Sequence, residues 1–556
     1  MNIKSVLRII LKIISFRTYL FFFQAILLLY SFELNAQTFT WAKIISNSTG
    51  YGISVDASGN SYVTGLFNGT AVFDTIQLFS YGYTDVFVAK YNKDGNCIWA
   101  KQAGGINNDC SYSISVDKNG NSYITGFFYG IAKFDTLQLI SSGSYDIFLA
   151  KYNKDGNCIW AKQAGGSNDD FGYFISVDIN GNSYITGEFR GTATFGLFQL
   201  TSFGSSDAFV AKYDPNGNCL WAKQAGGVGS DFGEGLTVDA NGNIYVTGYF
   251  QGPVVFGENQ LSGFGSYDIF IAKYDSFGNC LWAKQAGSPF SDGGTSISVD
   301  ANGNCYVTGK FTGPAVFGTI QLSGLGNSDS DIFVAEYDLN GNCLWAKQAG
   351  GTGYDAAWGI STDAKGNCYV TGQFTGPATF GTIKLAGSSE RYIFVTSYDF
   401  DGNCLWAVQD TGYGVGTAIV VDTIGNVYST GAFSDSATFG TFHLTGGGGF
   451  ITKIHNSPLG VKNEINPFHK DYFLEQNYPN PFNPCTSIKF SLPKASHVKL
   501  SIYNSLGQEV SNLISQDMIA GIHSIDWNAS SFASGVYYYR IVAGNFIDTK
   551  KLLLLK

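Results

Sequence analysis

The sequence predicts an all-β protein: a seven-bladed β-propeller closed by its N-terminal strand, followed by a small C-terminal Ig-like β-sandwich. Three observations carry this. First, the tetrapeptide Tyr-Val-Thr-Gly or a near copy recurs seven times, with its Thr-Gly pair at Thr64-Gly65, Thr125-Gly126, Thr186-Gly187, Thr247-Gly248, Thr308-Gly309, Thr371-Gly372 and Thr430-Gly431. The spacings are 61, 61, 61, 61, 63 and 59 residues, and a period of that size means a ring or a solenoid. Second, apolar and polar residues alternate within each repeat between clusters of Gly, Asn and Asp, the period-2 pattern of strands joined by tight turns. Third, the composition shifts after the repeats, where Pro479, Pro481 and Pro484 precede a new series of alternating segments.

The chain has 556 residues with 70 glycines, 16% aromatic, 44% hydrophobic and only 14% charged residues, proportions that suit a large β protein. Its net charge of -10 argues against nucleic acid, whose phosphates are held by Lys and Arg that displace counterions. Residues 1–36 carry Lys4, Arg8, Lys12 and Arg17, then an apolar run from Tyr19 to Phe32, then Leu34-Asn35-Ala36. This layout predicts a signal peptide cleaved after Ala36. The run is shorter than the roughly 20 residues that cross a bilayer, and no later segment is long and apolar enough, so no span is expected in the mature chain. The expected domains are 1–36 signal peptide, 37–454 propeller, 455–471 linker and 472–556 C-terminal domain.

In the unit from Tyr173 to Gly227, strand A lies in FISVD, B in SYITGEF, C in AFVAKYD and D in CLWAKQ. Between B and C a further alternation, Phe195 to Leu200, predicts a small hairpin. The A-to-B turns begin at Asp56, Asp117, Asp178, Asp239, Asp300, Asp363 and Asp422 and read Asp-x-x-Gly-Asn, pairing a side-chain acceptor with a glycine able to take positive φ. A calcium loop is the rival reading, but each turn offers one carboxylate where a tight site takes six or more oxygens. Trp-Ala pairs begin at Trp41, Trp99, Trp160, Trp221, Trp282, Trp345 and Trp406, and strand-C cores at Phe87, Phe148, Phe209, Phe270, Phe333, Phe394 and Phe450. The two series are out of phase: the chain opens with a lone D strand and ends on a C strand. Together these halves complete one blade, which removes the edges an open stack would leave unpaired.

These residues resemble the bacterial β-propeller repeat known as the SBBP family, whose units carry a similar VDxxGNxYVTG stretch followed by DxFVAKY and a Trp-containing outer strand. The resemblance covers residues 38 to 454, with Tyr392 and Gly449 replacing the Asp before strand C in the last two units. It implies a seven-bladed fold and no particular activity.

Cys97, Cys158, Cys219, Cys280, Cys343 and Cys404 occupy one place on strand D of six units, too far apart to bridge, while Cys305 and Cys368 lie on B strands. All are expected to be free. Five histidines, none in the first six units, leave no zinc-ligand spacing and no partner for a Ser or Cys nucleophile. The expectation is therefore no enzyme, no metal and no cofactor.

The D-to-A loops vary between units and share a rim with the B-to-C connections. Within them Asp109, Asp170, Asp231, Asp292 and Asp355 each precede the A-to-B turn Asp by eight residues. Two readings compete: each carboxylate accepts N–H groups of its own Gly-rich loop, or the five form a crown for a cation or a basic or hydroxyl-rich ligand, with Phe171, Phe232, Tyr354 and Trp358 from the same loops. The Asp residues before strand C, such as Asp85, read as loop or inter-blade acceptors.

Residues 472–556 contain NYPNPFNP (Asn477 to Pro484), SIYNSLGQEV (Ser501 to Val510), AGIHSIDW (Ala520 to Trp527), SGVYYYRI (Ser534 to Ile541) and KKLLLLK (Lys550 to Lys556). On these motifs they resemble the type A C-terminal sorting domain of the type IX secretion system. The resemblance implies that Asn477, Pro479, Pro481, Phe482, Pro484, Gly507, Gly535, Tyr537, Lys550 and Lys551 belong to a signal read by the outer-membrane translocon. The passenger would reach the cell surface or the medium via the periplasm. The function expected is a non-enzymatic binding module for a glycan, protein or matrix component. The alternatives are a carbohydrate-active lyase or hydrolase using rim carboxylates and aromatics, and a purely structural envelope protein.

Overall fold

A computed structural model describes residues 37–325, 329–455 and, within 472–555, all but 475, 478–479, 493–495, 519–520 and 545. The expected signal peptide, nearly all of the expected linker and Pro479 lie outside the described residues. The described residues contain antiparallel β-sheets and no helix. The chain divides into two compact units, Met1–Ser457 and Pro458–Lys556.

In the first unit the repeat folds as the alternation predicts. Strands Phe171–Val177 (A), Ser183–Phe189 (B), Asp207–Tyr213 (C) and Cys219–Gly227 (D) pair in that order. The Asp178 turn between A and B is closed by Asp178 Oδ1, which accepts the Asn180 and Asn182 N–H groups, both at 2.9 Å, while Gly181 takes φ +82. The predicted hairpin forms as well, Thr192–Phe195 with Phe198–Thr201. It does not stay with its own repeat: Phe195 and Thr194 pair with Ala164 and Gly165 at the end of the preceding D strand. The hairpins at Val254–Phe256, Ala315–Phe317 and Ala378–Phe380 repeat this clasp on their own predecessors.

The repeated residues are those that bolt one repeat to the next. Tyr123 and Tyr245, the first residues of their tetrapeptides, donate to the turn carbonyls of the following repeat, Gly181 at 3.3 Å and Gly303 at 3.0 Å. Trp99 and Trp160 Nε1 donate to Lys154 and Pro215 carbonyls, both at 3.1 Å. The signature threonine reaches across to strand C, as Thr186 Oγ1 donating to the Phe209 carbonyl at 2.7 Å.

At the ends, Thr38–Ser46 pairs with Gly448–His455, with Trp41 opposite Lys453 and Lys43 opposite Ile451, so both termini of the repeat region share one four-stranded sheet. Trp41 and Ile451 pack in the same core. The Trp and Tyr bolts cross this seam, Trp41 Nε1 to Lys93 O at 3.2 Å and Tyr428 OH to Gly59 O at 3.4 Å, and Thr417 Oγ1 adds a bond to Gly50 O at 2.7 Å. The A strands touch in chain order, and the last, Tyr413–Val421, touches the first, Ser48–Val55.

All ten cysteines are free thiols. Cys110, Cys305 and Cys368 are buried, and burial pushes the thiols of Cys97, Cys158, Cys219, Cys280 and Cys343 up to about 12. Thiol titration of the unreduced protein should therefore find ten reactive groups in denaturant and very few in the native state. A denatured count near zero would overturn this strand register.

The C-terminal unit has a three-stranded sheet (Phe473–Leu474, Cys485–Leu492, Gly521–Asn528) and a four-stranded sheet (Glu509–Met518, Ser496–Asn504, Gly535–Ala543, Phe546–Leu554) contributing to one apolar core. Phe482 is buried in that core beside Trp527 and brackets the last strand, its N–H donating to Leu553 O and its carbonyl accepting from Leu555, both at 3.0 Å. Asn477 Nδ2 donates to Thr486 Oγ1 at 2.9 Å, and Tyr537 OH to Ala533 O at 2.9 Å. Pro481 and Pro484 follow cis peptide bonds, Gly507 turns at φ +78, Gly535 opens a strand, and Lys550 and Lys551 pair with Tyr539 and Tyr538.

Candidate functional site: an axial cavity lined by bulged residues

Every A strand of the repeat region carries one register shift against its B strand, at Gly50/Gly52, Ser111/Ser113, Gly172/Phe174, Gly233/Gly235, Gly294/Ser296, Ala357/Gly359 and Gly416/Ala418. The extra residue of a bulge leaves the ladder and is re-aimed. Here those residues are Tyr51, Tyr112, Tyr173, Glu234, Thr295, Trp358 and Thr417, and all seven line one cavity of about 570 Å³. That volume is within the range of about 300–1,000 Å³ of small-molecule sites.

The glycine of the Thr-Gly pair makes the bulge possible. A Cβ on Gly187 would overlap the Phe171 carbonyl oxygen of the bulged strand and lie 3.0 Å from Phe209 Cε1. Small residues before the bulge serve a second purpose. A Cβ on Gly172 or Gly233 would overlap Oγ1 of Thr125 or Thr186 in the preceding repeat, so these glycines let A strands approach their neighbours closely.

The wall is uneven around the axis. Tyr51, Tyr112 and Tyr173 form an edge-to-face series with centroids 5.3 and 5.5 Å apart. Tyr173 donates to Glu188 Oε1 at 2.8 Å, and Arg190 lies 3.8 Å from the other Glu188 oxygen. Next comes Glu234, whose carboxyl burial pushes up to about 7, while the Tyr249 hydroxyl and the Lys310 charge act in the opposite direction. Lys310 itself bonds Tyr354 OH at 3.2 Å. Arg391, over the Tyr413 ring, completes the lining and also faces a second hollow of about 400 Å³ beside Asn47–Thr49.

Of the residues singled out by sequence, Tyr354 and Trp358 line this cavity. Asp109, Asp170, Asp231, Asp292 and Asp355 do not line it, and the crown is not what their surroundings show. Each is buried, with one oxygen accepting an N–H of its D-to-A loop and the other an N–H just beyond strand B or at its end. Asp170, for example, accepts from Gly166 at 2.7 Å and Arg190 at 3.0 Å. These carboxylates staple loops. Asp146, before strand C, is held through one oxygen: its Oδ2 accepts from Ser142 N–H and Gln163 Nε2, both at 2.7 Å, while its Oδ1 is buried without a partner among the described residues.

Sequence reasoning missed Tyr51, Tyr112, Tyr173 and Glu234. Their signal was a variable residue between two mostly small ones, at the same place in every repeat. Among the described residues, no three His, Cys, Asp or Glu side chains assemble as metal ligands.

Three stretches, residues 98–126, 159–188 and 220–249, match the family model described as beta-propeller repeat (SBBP), and residues 476–555 match that of the secretion system C-terminal sorting domain. The chain carries β-propeller repeats and a C-terminal sorting domain. That sorting domain indicates export through the type IX secretion system to the cell surface or extracellular space. Within this β-propeller repeat protein, similarity extends to the uncharacterized WD repeat-containing protein L264 of Acanthamoeba polyphaga mimivirus, 26% identical with 71% of this chain and 36% of that protein covered. It extends also to the regulatory protein FlaEY of Caulobacter vibrioides, 30% identical with 33% of this chain and 20% of that protein covered. The chain thus spans well under half the length of these relatives. Among solved structures, PorZ, a surface component of the type IX secretion system of Porphyromonas gingivalis, aligns at 11% identity and a TM-score of 0.23, over 93% of this chain and 75% of its own. No helix among the described residues is long and apolar enough to cross a membrane.

Proposed function

We propose that this chain is an exported, non-enzymatic binding module: a seven-bladed propeller over residues 37–454, joined by a linker over 455–471 to an Ig-like sorting sandwich over 472–556. Seven A strands touching in a cycle, and a sheet shared by both ends of the repeat region, support the blade count. Two sheets over one core support the sandwich. The carrying observation is where the repeats differ. Residues common to the repeats make the turns, bolts and staples, whereas the bulged positions that meet on the axis hold Tyr, Glu, Thr and Trp. Symmetry is thus broken where a ligand would sit.

A binding role fits better than turnover because the cavity offers aromatic faces and hydroxyls but no histidine, and Thr295 and Thr417 spend their hydroxyls on backbone carbonyls. The enzyme reading has one specific support, the nearby acids Glu188 and Glu234 beside Tyr173. To separate the two, the mature protein and its Tyr112→Ala variant are immobilised and offered envelope polysaccharide and peptide fractions. Retention of one fraction by the parent alone, with its chain length unchanged, is expected. Shortened chains or new reducing ends would favour a lyase or hydrolase, and equal retention by the variant would move binding off the axis.

A further inference from the structure

Seven of the eight tryptophans in the repeat region are structural, each packed against a tyrosine with centroids 6.0 to 6.4 Å apart. Trp358 is the exception. It stands in the cavity wall, has no ring neighbour among the described residues, and its buried Nε1–H has no acceptor. An indole N–H held away from water without a partner is a desolvation cost that a bound acceptor removes. Trp358 thus brings to the cavity wall an indole unmatched by any other ring and an N–H without an acceptor, which suits a ligand with a flat face and oxygen atoms around it.

Other cavity groups narrow the chemistry. The Tyr51 and Tyr112 hydroxyls have no hydrogen-bond partner among the described residues, and Gln373 adds amide groups. Glu234 supplies the acceptor on the opposite arc. Donors thus outnumber acceptors, and the charges near the cavity are mixed, Glu188 and Glu234 against Lys310, Arg190 and Arg391. A neutral ligand rich in hydroxyl groups meets this wall with every hydroxyl able to accept and donate, while its C–H face meets the negative face of the indole. One ring is not enough. The N–H of an indole lies in the ring plane, so a sugar stacked over the face cannot also occupy the edge.

Resting on the binding reading above, we propose that the axial cavity takes a neutral oligosaccharide of at least two units, one stacked on Trp358 and a neighbouring one accepting from its Nε1–H, with hydroxyls on Glu234 and the Tyr51–Tyr112 arc. The mature full-length chain is titrated with glucose, cellobiose, maltotriose, chitobiose and mannobiose, with choline and a tripeptide as comparators, by calorimetry and by tryptophan fluorescence. At least one oligosaccharide should bind, with glucose about tenfold or more weaker. Trp358→Phe, which keeps a ring but loses the edge donor, should weaken it about tenfold, and Trp358→Ala should abolish it. Glu234→Gln should also weaken it about tenfold, and unchanged unfolding midpoints are the check on folding. Binding of every sugar equally by Trp358→Ala, or of glucose as well as its oligomers, overturns the proposal. Choline or peptide binding without sugar binding, lost in Trp358→Ala, overturns it too but leaves the binding module standing. If no sugar binds, the proposal falls, and if the Tyr112→Ala variant also retains envelope fractions like the parent, the binding reading falls with it.

Discussion

Replacing Gly187 by Ala is expected to destabilise the propeller by about 3 kcal/mol or more, the upper end of what overpacking costs, and to open the axial site at the same time. The glycine lies in a strand and its backbone is unexceptional; what it lacks is room. Its Cβ would overlap the Phe171 carbonyl, which is backbone and cannot rotate away, and would crowd Phe209 Cε1 from the other side. Relief requires strand A to withdraw or to lose its extra residue, and either change turns Tyr173 away from the axis and off Glu188. Equilibrium unfolding in urea should show the lower midpoint, and a probe of Tyr173 such as its near-ultraviolet signal should change in the variant before unfolding begins. Gly252, at φ +75 with nothing within reach of a Cβ, is a useful comparison: alanine there strains one turn and leaves the cavity intact. A Gly187→Ala protein as stable as the parent would refute the role assigned here to the Thr-Gly signature.

The second large effect is expected at the loop staples. Asp170→Ala removes the acceptors of two half-buried N–H groups, Gly166 and Arg190, and each orphaned donor falls in the lower part of the range of about 1–3 kcal/mol for a buried one, so a loss of about 2–4 kcal/mol follows. Asn is expected to lie between, since its carbonyl serves one N–H while its own amide opposes the other. The staples also set a pH dependence. Burial pushes Asp109, Asp170, Asp231 and Asp355 up to about 7 and Asp292 up to about 6, against the pull of the amides they bind. A carboxyl whose folded value stands above its unfolded value, 3.8, binds more protons in the native state, so its contribution is complete below 3.8 and is lost as pH rises through 6 to 7. The thermal midpoint of the repeat region should fall between pH 5 and pH 8, and the fall should shrink in Asp170→Asn. A midpoint that rises over this interval would mean the amides hold the staples ionised throughout.

Much of the architecture was legible because repetition amplifies weak signals. One Asp-x-x-Gly-Asn turn is a modest hint; seven in register, with Trp and Phe series out of phase, locate the strands and the pairing of Thr38–Ser46 with Gly448–His455. The inserted hairpin was legible from Phe195 to Leu200, but its partner was not, because nothing local reveals that Phe195 pairs with Ala164 of the preceding repeat. The candidate site divided in the same way. Tyr354 and Trp358 were found because they are aromatic residues in variable loops. Tyr51, Tyr112 and Tyr173 were missed because a bulge reverses the direction that strict alternation assigns to them, and the five staples were over-read because acidity in a loop says nothing about which N–H groups surround it.

The meeting of Thr38 with His455 across the seam sets an order of events. These partners are 417 positions apart, so the first strand made must wait, without its sheet, until the end of the repeat region has been synthesised. Pairings this distant in sequence form slowly, and the ring cannot lock before the segment leading into the sorting domain exists. A polypeptide whose first repeat strand is completed only by its last stays open along one edge until both ends of the repeat region are present, and becomes rigid in a single closing step.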